Sequence, residues 1–159
     1  MEKVTTLILL SLSLTFLSAC GQDAPPRLIV RGDDMGFTHA CNEASIDAYK
    51  NGIMKTVEVM VPTPWYPEAV RLLKETPGLD VGIHLTLTSE WDALKWKPLT
   101  KAPSITDENG YFYPMIWPND NFGPDQALKE NGWTVEEIEQ ELELLNNTEE
   151  IQLNLSNAF

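Results

Sequence analysis

Cysteine and histidine each occur only twice in these 159 residues, and basic side chains are outnumbered by acidic ones, 11 against 24. The formal net charge of -13 excludes nucleic acid as the main ligand, because no basic patch offsets phosphate repulsion. Nor is there an apolar run of the length a spanning helix needs: Leu7 to Leu17 falls well short of about 20 residues. If Cys20 is used near the N-terminus, Cys41 is left alone. A lone thiol forms no intrachain disulfide, so the folded part must be held by packing. No His-Asn arrangement accompanies Cys41, which reads as a small buried apolar residue rather than a nucleophile.

The short apolar stretch has a lysine before it, Lys3, and small residues after it, Leu17-Ser18-Ala19-Cys20. That tetrapeptide resembles the lipobox of bacterial lipoproteins. The resemblance implies a signal peptide over 1–19 and lipid attached to Cys20, with a membrane-anchored product in the periplasm or at the cell surface. Each buried methylene of such a lipid contributes about 0.8 kcal/mol of membrane affinity. Residues 20–27, polar and proline-containing, read as a tether, and 28–159 as one domain.

Within that domain the pattern is βαβαβ. Leu28–Asp33 reads as a buried strand, Asn42–Lys50 as a helix stopped by Gly52, and Thr56–Val61 as a β-branched strand. Pro67–Lys74 reads as a helix with proline in its first turn, and Val81–Leu87 as a third strand. This order predicts a parallel sheet with right-handed crossovers. In the third strand Val81, Ile83, Leu85 and Leu87 share one face, with Gly82, His84 and Thr86 on the other. In the second, Val57, Val59 and Val61 oppose Thr56, Glu58 and Met60. A buried Glu58 needs a partner. Polar residues along one face suggest the inside of a barrel, so the expected fold is α/β, a partial (β/α) barrel with a polar interior.

Asp33 and Asp34 stand where the first apolar run ends at Gly32. Adjacent carboxylates at a strand end must stay solvated, bind a cation or share a proton. The C-terminal ends of strands are where α/β folds keep their active sites. His84 is a second metal-competent residue in another apolar run, and together the three suggest metal-assisted hydrolysis.

From Thr88 to Trp133 regular patterning fails. Trp91, Trp96, Tyr111, Phe112, Tyr113, Trp117 and Phe122 fall here, and their number argues against disorder. The rings suit either the apolar faces of sugars or a local mini-core over the sheet. Thr134 to Glu137 then matches a capping box. It opens a helix through Ile138, Leu142 and Leu145 that ends at Asn146-Asn147, leaving a weakly patterned tail, 148–159.

The run Leu28-Ile29-Val30-Arg31-Gly32-Asp33-Asp34-Met35-Gly36-Phe37 with Asn42-Glu43 resembles the opening of the YdjC-like carbohydrate deacetylases, also called the ChbG/HpnK family. Gly52-Ile53, Thr56 and Met60-Val61 are similar to that family's second strand. Pro77 to Thr86, with Gly82-Ile83-His84-Leu85, is similar to its third. Gly132-Trp133-Thr134 and the acidic helix fit as well. The resemblance, from Leu28 to about Leu145, implies a barrel-like fold and removal of N-acetyl groups from amino sugars by a divalent metal, zinc or magnesium. It assigns Asp34 and His84 as metal ligands and Asp33 as general base.

The chemistry is coherent in its own terms. A divalent ion polarises a resistant acetamide and acidifies water, and a free carboxylate accepts the proton. A nitrogen ligand favours zinc, whereas magnesium prefers more oxygen. The family's second histidine ligand belongs to a later strand that does not arrive here, and His39 does not match its position. The expectation is therefore a C-terminally truncated chain. Competing readings are a lipid-anchored protein that binds sugar without catalysis, an inactive remnant, and a phosphorylation receiver domain. The last is disfavoured by Thr88-Ser89-Glu90 where a phosphoacceptor Asp belongs.

Overall fold

The computed structural model describes residues 26–153. The expected signal segment 1–19, Cys20, most of the tether and the tail end 154–159 lie outside the described residues. The ordered elements are β1 (Arg31–Met35), α1 (His39–Lys50), β2 (Thr56–Val59), α2 (Tyr66–Lys74), β3 (Asp80–Ile83) and α3 (Val135–Leu153). Single 3-10 turns at Pro103–Ile105, Pro124–Gln126 and Leu128–Glu130 punctuate the segment between β3 and α3. No helix among the described residues is long and apolar enough to cross a membrane.

The sheet has the order β1-β2-β3 with both pairs parallel, as the βαβαβ pattern predicts. It has three strands, and closure into a barrel is not seen among the described residues. Its two faces differ as the alternation requires. Val57 and Val59 are fully buried with Met35, Ile46, Ala69, Leu73 and Leu145, so α1, α2 and α3 share one core on that side. Fully burying one such aliphatic side chain stabilises by roughly 1.5–3 kcal/mol, which makes this core the main source of cohesion. On the opposite face Glu58 meets Arg31, with Nη1 to Oε1 at 2.8 Å. That is the partner a sequestered Glu58 requires.

Several boundaries differ from expectation, each for a local reason. The first strand begins at Arg31, not Leu28. Ladder pairing starts at Arg31 opposite Thr56, and Leu28 and Ile29 are 83% and 78% exposed. Helix α1 starts at His39, three residues early, because Thr38 caps it: its Oγ1 accepts from Cys41 N–H at 3.1 Å. β3 is shorter than Val81–Leu87, although His84 N–H still donates to Val59 O at 3.0 Å.

Helix α3 runs through Asn146-Asn147 to Leu153. Asparagine is only a mildly poor helix former, and no Gly or Pro follows it before the helix ends. The capping box at its start is half formed. Glu137 N–H reaches Thr134 Oγ1 at 3.4 Å, but the Glu137 carboxylate accepts from Ser104 N–H at 2.7 Å instead of Thr134 N–H. Thr134 N–H donates to Ser104 Oγ at 3.1 Å, so a neighbouring turn supplies what the box lacks.

The aromatic segment is ordered around its own core. Trp96, Ile105, Phe112, Leu128 and Met60 are buried together, with Phe37, Leu87 and Tyr113 packed against them. The mini-core reading therefore holds for Trp96 and Phe112. Trp91 and Trp117 remain exposed.

Candidate metal centre

In a regular strand neighbouring side chains point to opposite faces, so Asp33 and Asp34 should diverge. A bulge changes this. Gly32 pairs with Val57 and Met35 with Val59, three steps along β1 against two along β2. The extra residue is Asp34, whose φ of 58° lies in the left-handed region. Aspartate is one of the few non-glycine residues that tolerate it. Both carboxylates then reach the same imidazole. His84 Nδ1 lies 3.2 Å from Asp33 Oδ1 and 3.1 Å from Asp34 Oδ1.

The turn that follows is clamped from below. Gly36 has φ of 100°, and a Cβ there would come 2.9 Å from both Met60 O and Thr63 Oγ1. Its N–H donates to the fully buried Asn42 Oδ1 at 2.7 Å. Asn42 Nδ2 donates in turn to Trp65 O at 3.1 Å and Glu68 Oε2 at 2.9 Å. Both the acceptor and the donor group of this amide are therefore engaged. Asn42 lies in the quoted Asn-Glu pair, but nothing in the sequence marks its role. Glu68 had no sequence signal beyond an acid in the first turn of a helix.

Cys41 departs from the buried apolar role expected of it. It is half-buried, and its Sγ donates to Asp34 O at 3.2 Å, bracing the bulge from the helix side. Burial raises its thiol pKa, and the Asp34 charge adds to the effect.

His39 does not join the centre. Its Nδ1 lies 3.0 and 3.1 Å from the two oxygens of Glu68, and its ring packs on Trp65 with centroids 5.5 Å apart. Asn42 above all holds the Glu68 carboxyl below the usual range, with His39 assisting.

Among the described residues, Asp33, Asp34 and His84 form the group that could hold a metal ion, each offering a ligand atom within 4.8 Å of the others. The donor set fits a divalent cation on two further grounds. His84 Nδ1 is a buried atom that faces two carboxylate oxygens at 3.1 and 3.2 Å without a well-aligned hydrogen bond to either, an arrangement in which a cation is a better partner than a proton. The Asp34 carboxyl is also pushed above its ordinary range, first by burial and then by the charge of Asp33, with Glu90 adding to it. His84 opposes this rise. Repulsion of this kind is relieved by a cation between the acids.

Comparison with known proteins bears on the same residues. The carbohydrate deacetylase of Thermus thermophilus is 44% identical over 85 residues, covering 54% of this chain and 28% of that protein. Carbohydrate deacetylase 2 of Listeria innocua is 40% identical over 84 residues, 53% of this chain and 32% of that one. The carbohydrate deacetylase of Vibrio cholerae is 32% identical over 106 residues, 65% and 40%. The matches thus span well under half the length of these relatives. Among solved structures, an Enterococcus faecalis protein described as a cellobiose-phosphate cleavage protein superposes with a TM-score of 0.64 at 28% identity. That match covers 81% of this chain and 45% of the other. The profile of one family, described as YdjC-like protein, matches residues 27–144, which include the bulge, the clamp and His84, and the chain belongs to that family.

Proposed function

We propose that this chain carries the metal centre of a carbohydrate deacetylase that removes N-acetyl groups from amino sugars or short chito-type oligosaccharides. The observation that carries the reading is the convergence of Asp33, Asp34 and the His84 Nδ1 nitrogen at the C-terminal ends of parallel strands. The names of the relatives support the substrate class.

Asp34 and His84 would hold the ion, and the mixed oxygen and nitrogen set suits zinc better than magnesium. Bound there, a divalent ion supplies polarisation of the acetamide carbonyl and a more acidic water. Asp33 is the more exposed of the acids, with 66% of its side chain accessible against 48% for Asp34. That exposure supports Asp33 as the general base that takes a proton from the attacking water. Its Oδ1 accepts from Asp34 N–H at 3.1 Å, which keeps the carboxylate turned toward His84. The polar sheet face with Arg31 and Glu58 supports a barrel interior. The Leu17–Cys20 segment supports an exported lipoprotein anchored through Cys20.

The test pairs zinc calorimetry with amine release from N-acetylated chito-oligosaccharides. Wild type binds zinc, and Asp34→Ala and His84→Ala each weaken binding by about tenfold or more. Equal zinc binding by wild type and the double variant discards the ligand assignment.

A further inference from the structure

The stretch that follows β3 returns to the turn beside the carboxylates, where Trp91 lays its ring on Phe37, with centroids 5.6 Å apart and planes tilted by 32°. Phe37 belongs to the turn that carries the acids: its N–H donates to Asp34 O at 3.1 Å. Phe37 also meets Trp96 edge-on at 5.7 Å, and Trp96 is buried in the second core. Trp91 is thus held from behind by a stack rooted in that core, while 52% of its surface faces solvent. A ring fixed on one side and open on the other presents a flat, apolar, electron-rich face. That face matches the apolar C–H face of a pyranose ring.

Other exposed indoles lack this placement. Trp117 and Trp133 line an apolar hollow of about 290 Å³ with Leu87 and Ile138. Trp65 packs on His39, which is occupied by Glu68. Trp91 alone among these makes a ring contact to a residue of the carboxylate turn.

We propose that Trp91, backed by Phe37, is the sugar-stacking residue of this site, placing a pyranose ring so that its acetamide reaches Asp33, Asp34 and His84. The inference rests on the deacetylase reading above. It makes Trp91 a substrate-binding residue with a separable signature, because sugar can stack without metal.

The experiment uses the full 159-residue chain labelled with fluorotryptophan and kept metal-free with chelator. Fluorine NMR follows its five tryptophans during titration with N-acetylated chitotriose, and Trp91→Phe assigns the Trp91 signal. The expected result is a saturable shift of that signal, with Trp117 and Trp133 unmoved. Trp91→Ala weakens sugar affinity about tenfold, and Trp91→Phe weakens it less. Should Trp91→Ala fail to fold, the wild-type shift and the Trp91→Phe affinity still decide. A static Trp91 signal while metal-loaded wild type releases amine from the same sugar overturns the stacking assignment alone. A wild type that neither binds nor deacetylates the sugar overturns the deacetylase reading and the stacking assignment with it.

Discussion

His84 Nδ1 stands 3.1 Å from Asp34 Oδ1, although the two residues lie at the ends of β3 and β1 with β2 between them. Strands that far apart in a sheet are separated by roughly 10 Å of backbone, so both side chains must lean over the end of β2. The His84 backbone is fixed for this on two sides. Its N–H donates to Val59 O at 3.0 Å, and its carbonyl accepts from Thr86 Oγ1 at 3.0 Å. On the other side, the bulge at Asp34 supplies the reach. The centre is therefore assembled by backbone geometry at both ends, and side-chain chemistry alone does not account for it.

The bulge and the ligand role of Asp34 separate by substitution. Asparagine keeps the side chain that tolerates a left-handed backbone, whereas alanine does not. Asp34→Asn should leave folding stability within about 0.5 kcal/mol of wild type while zinc affinity falls at least tenfold. Asp34→Ala should lose the same affinity and a further ~1 kcal/mol of stability. Urea titration and zinc calorimetry on the same preparations measure both. Equal stability of the two variants would remove the strain argument.

Asn42 ought to act on the metal without touching it. Truncation to alanine strands the buried Gly36 N–H and frees Glu68 from its amide partner. A buried donor left unpaired costs about 1–3 kcal/mol. Asn42→Ala should therefore lower stability by that amount and weaken zinc binding several-fold through a looser turn. Asn42→Asp keeps the acceptor for Gly36 but faces Glu68 with like charge, so it should rescue little. If Asn42→Ala unfolds no more easily than wild type, the clamp is not a structural device.

How much of this was legible beforehand follows from what kind of interaction each feature uses. The βαβαβ order and the faces of β2 came through because alternation and helical spacing are written directly in the apolar residues. The Asp33, Asp34 and His84 set was legible as residue types with few packing uses. Their convergence is expected from residue types at strand ends and is found, but the one-residue bulge at Asp34 that brings it about is announced by no sequence pattern. Asn42 and Glu68 stayed hidden for a related reason: their partners are backbone groups and side chains 6 to 29 positions away. Leu28 and Ile29 misled because an apolar run shows what can be buried, and among the described residues nothing covers these two side chains. Trp96 and Phe112 went to a core and Trp91 to the surface, a division that composition alone cannot make.

Glu68 gives a pH dependence with a definite sign. Its folded pKa is lowered, chiefly by the Asn42 hydrogen bond and then by His39. The folded state therefore holds this proton less tightly than the unfolded chain. Its stabilisation is present above the ordinary carboxylate range and is lost as pH falls through the lowered folded value. Glu68→Gln should show a shallower loss of stability on acidification than wild type, with the difference confined to the acid limb. Urea midpoints measured from neutral to acid pH supply the test, and parallel curves for the two proteins would refute the linkage.

Glu141 is the last candidate for a decisive single change, because it joins α3 to the segment beyond β3. It is fully buried, yet its oxygens accept from Leu99 N–H at 2.8 Å, Thr100 N–H at 2.8 Å and Thr100 Oγ1 at 2.6 Å. A carboxylate in that position persists only because these donors replace water. Glu141→Ala removes all three acceptor contacts and leaves backbone donors facing a void, so it should cost about 3 kcal/mol or more. Glu141→Gln retains one carbonyl oxygen but turns an amide donor toward another donor, so it should fall between, at about 1–2 kcal/mol. Amide exchange locates the damage: Leu99 and Thr100 should lose protection first, ahead of Val57 and Val59 in the sheet. If those loop amides exchange no faster in Glu141→Ala than in wild type, the Glu141 carboxylate is not what fastens this segment to α3.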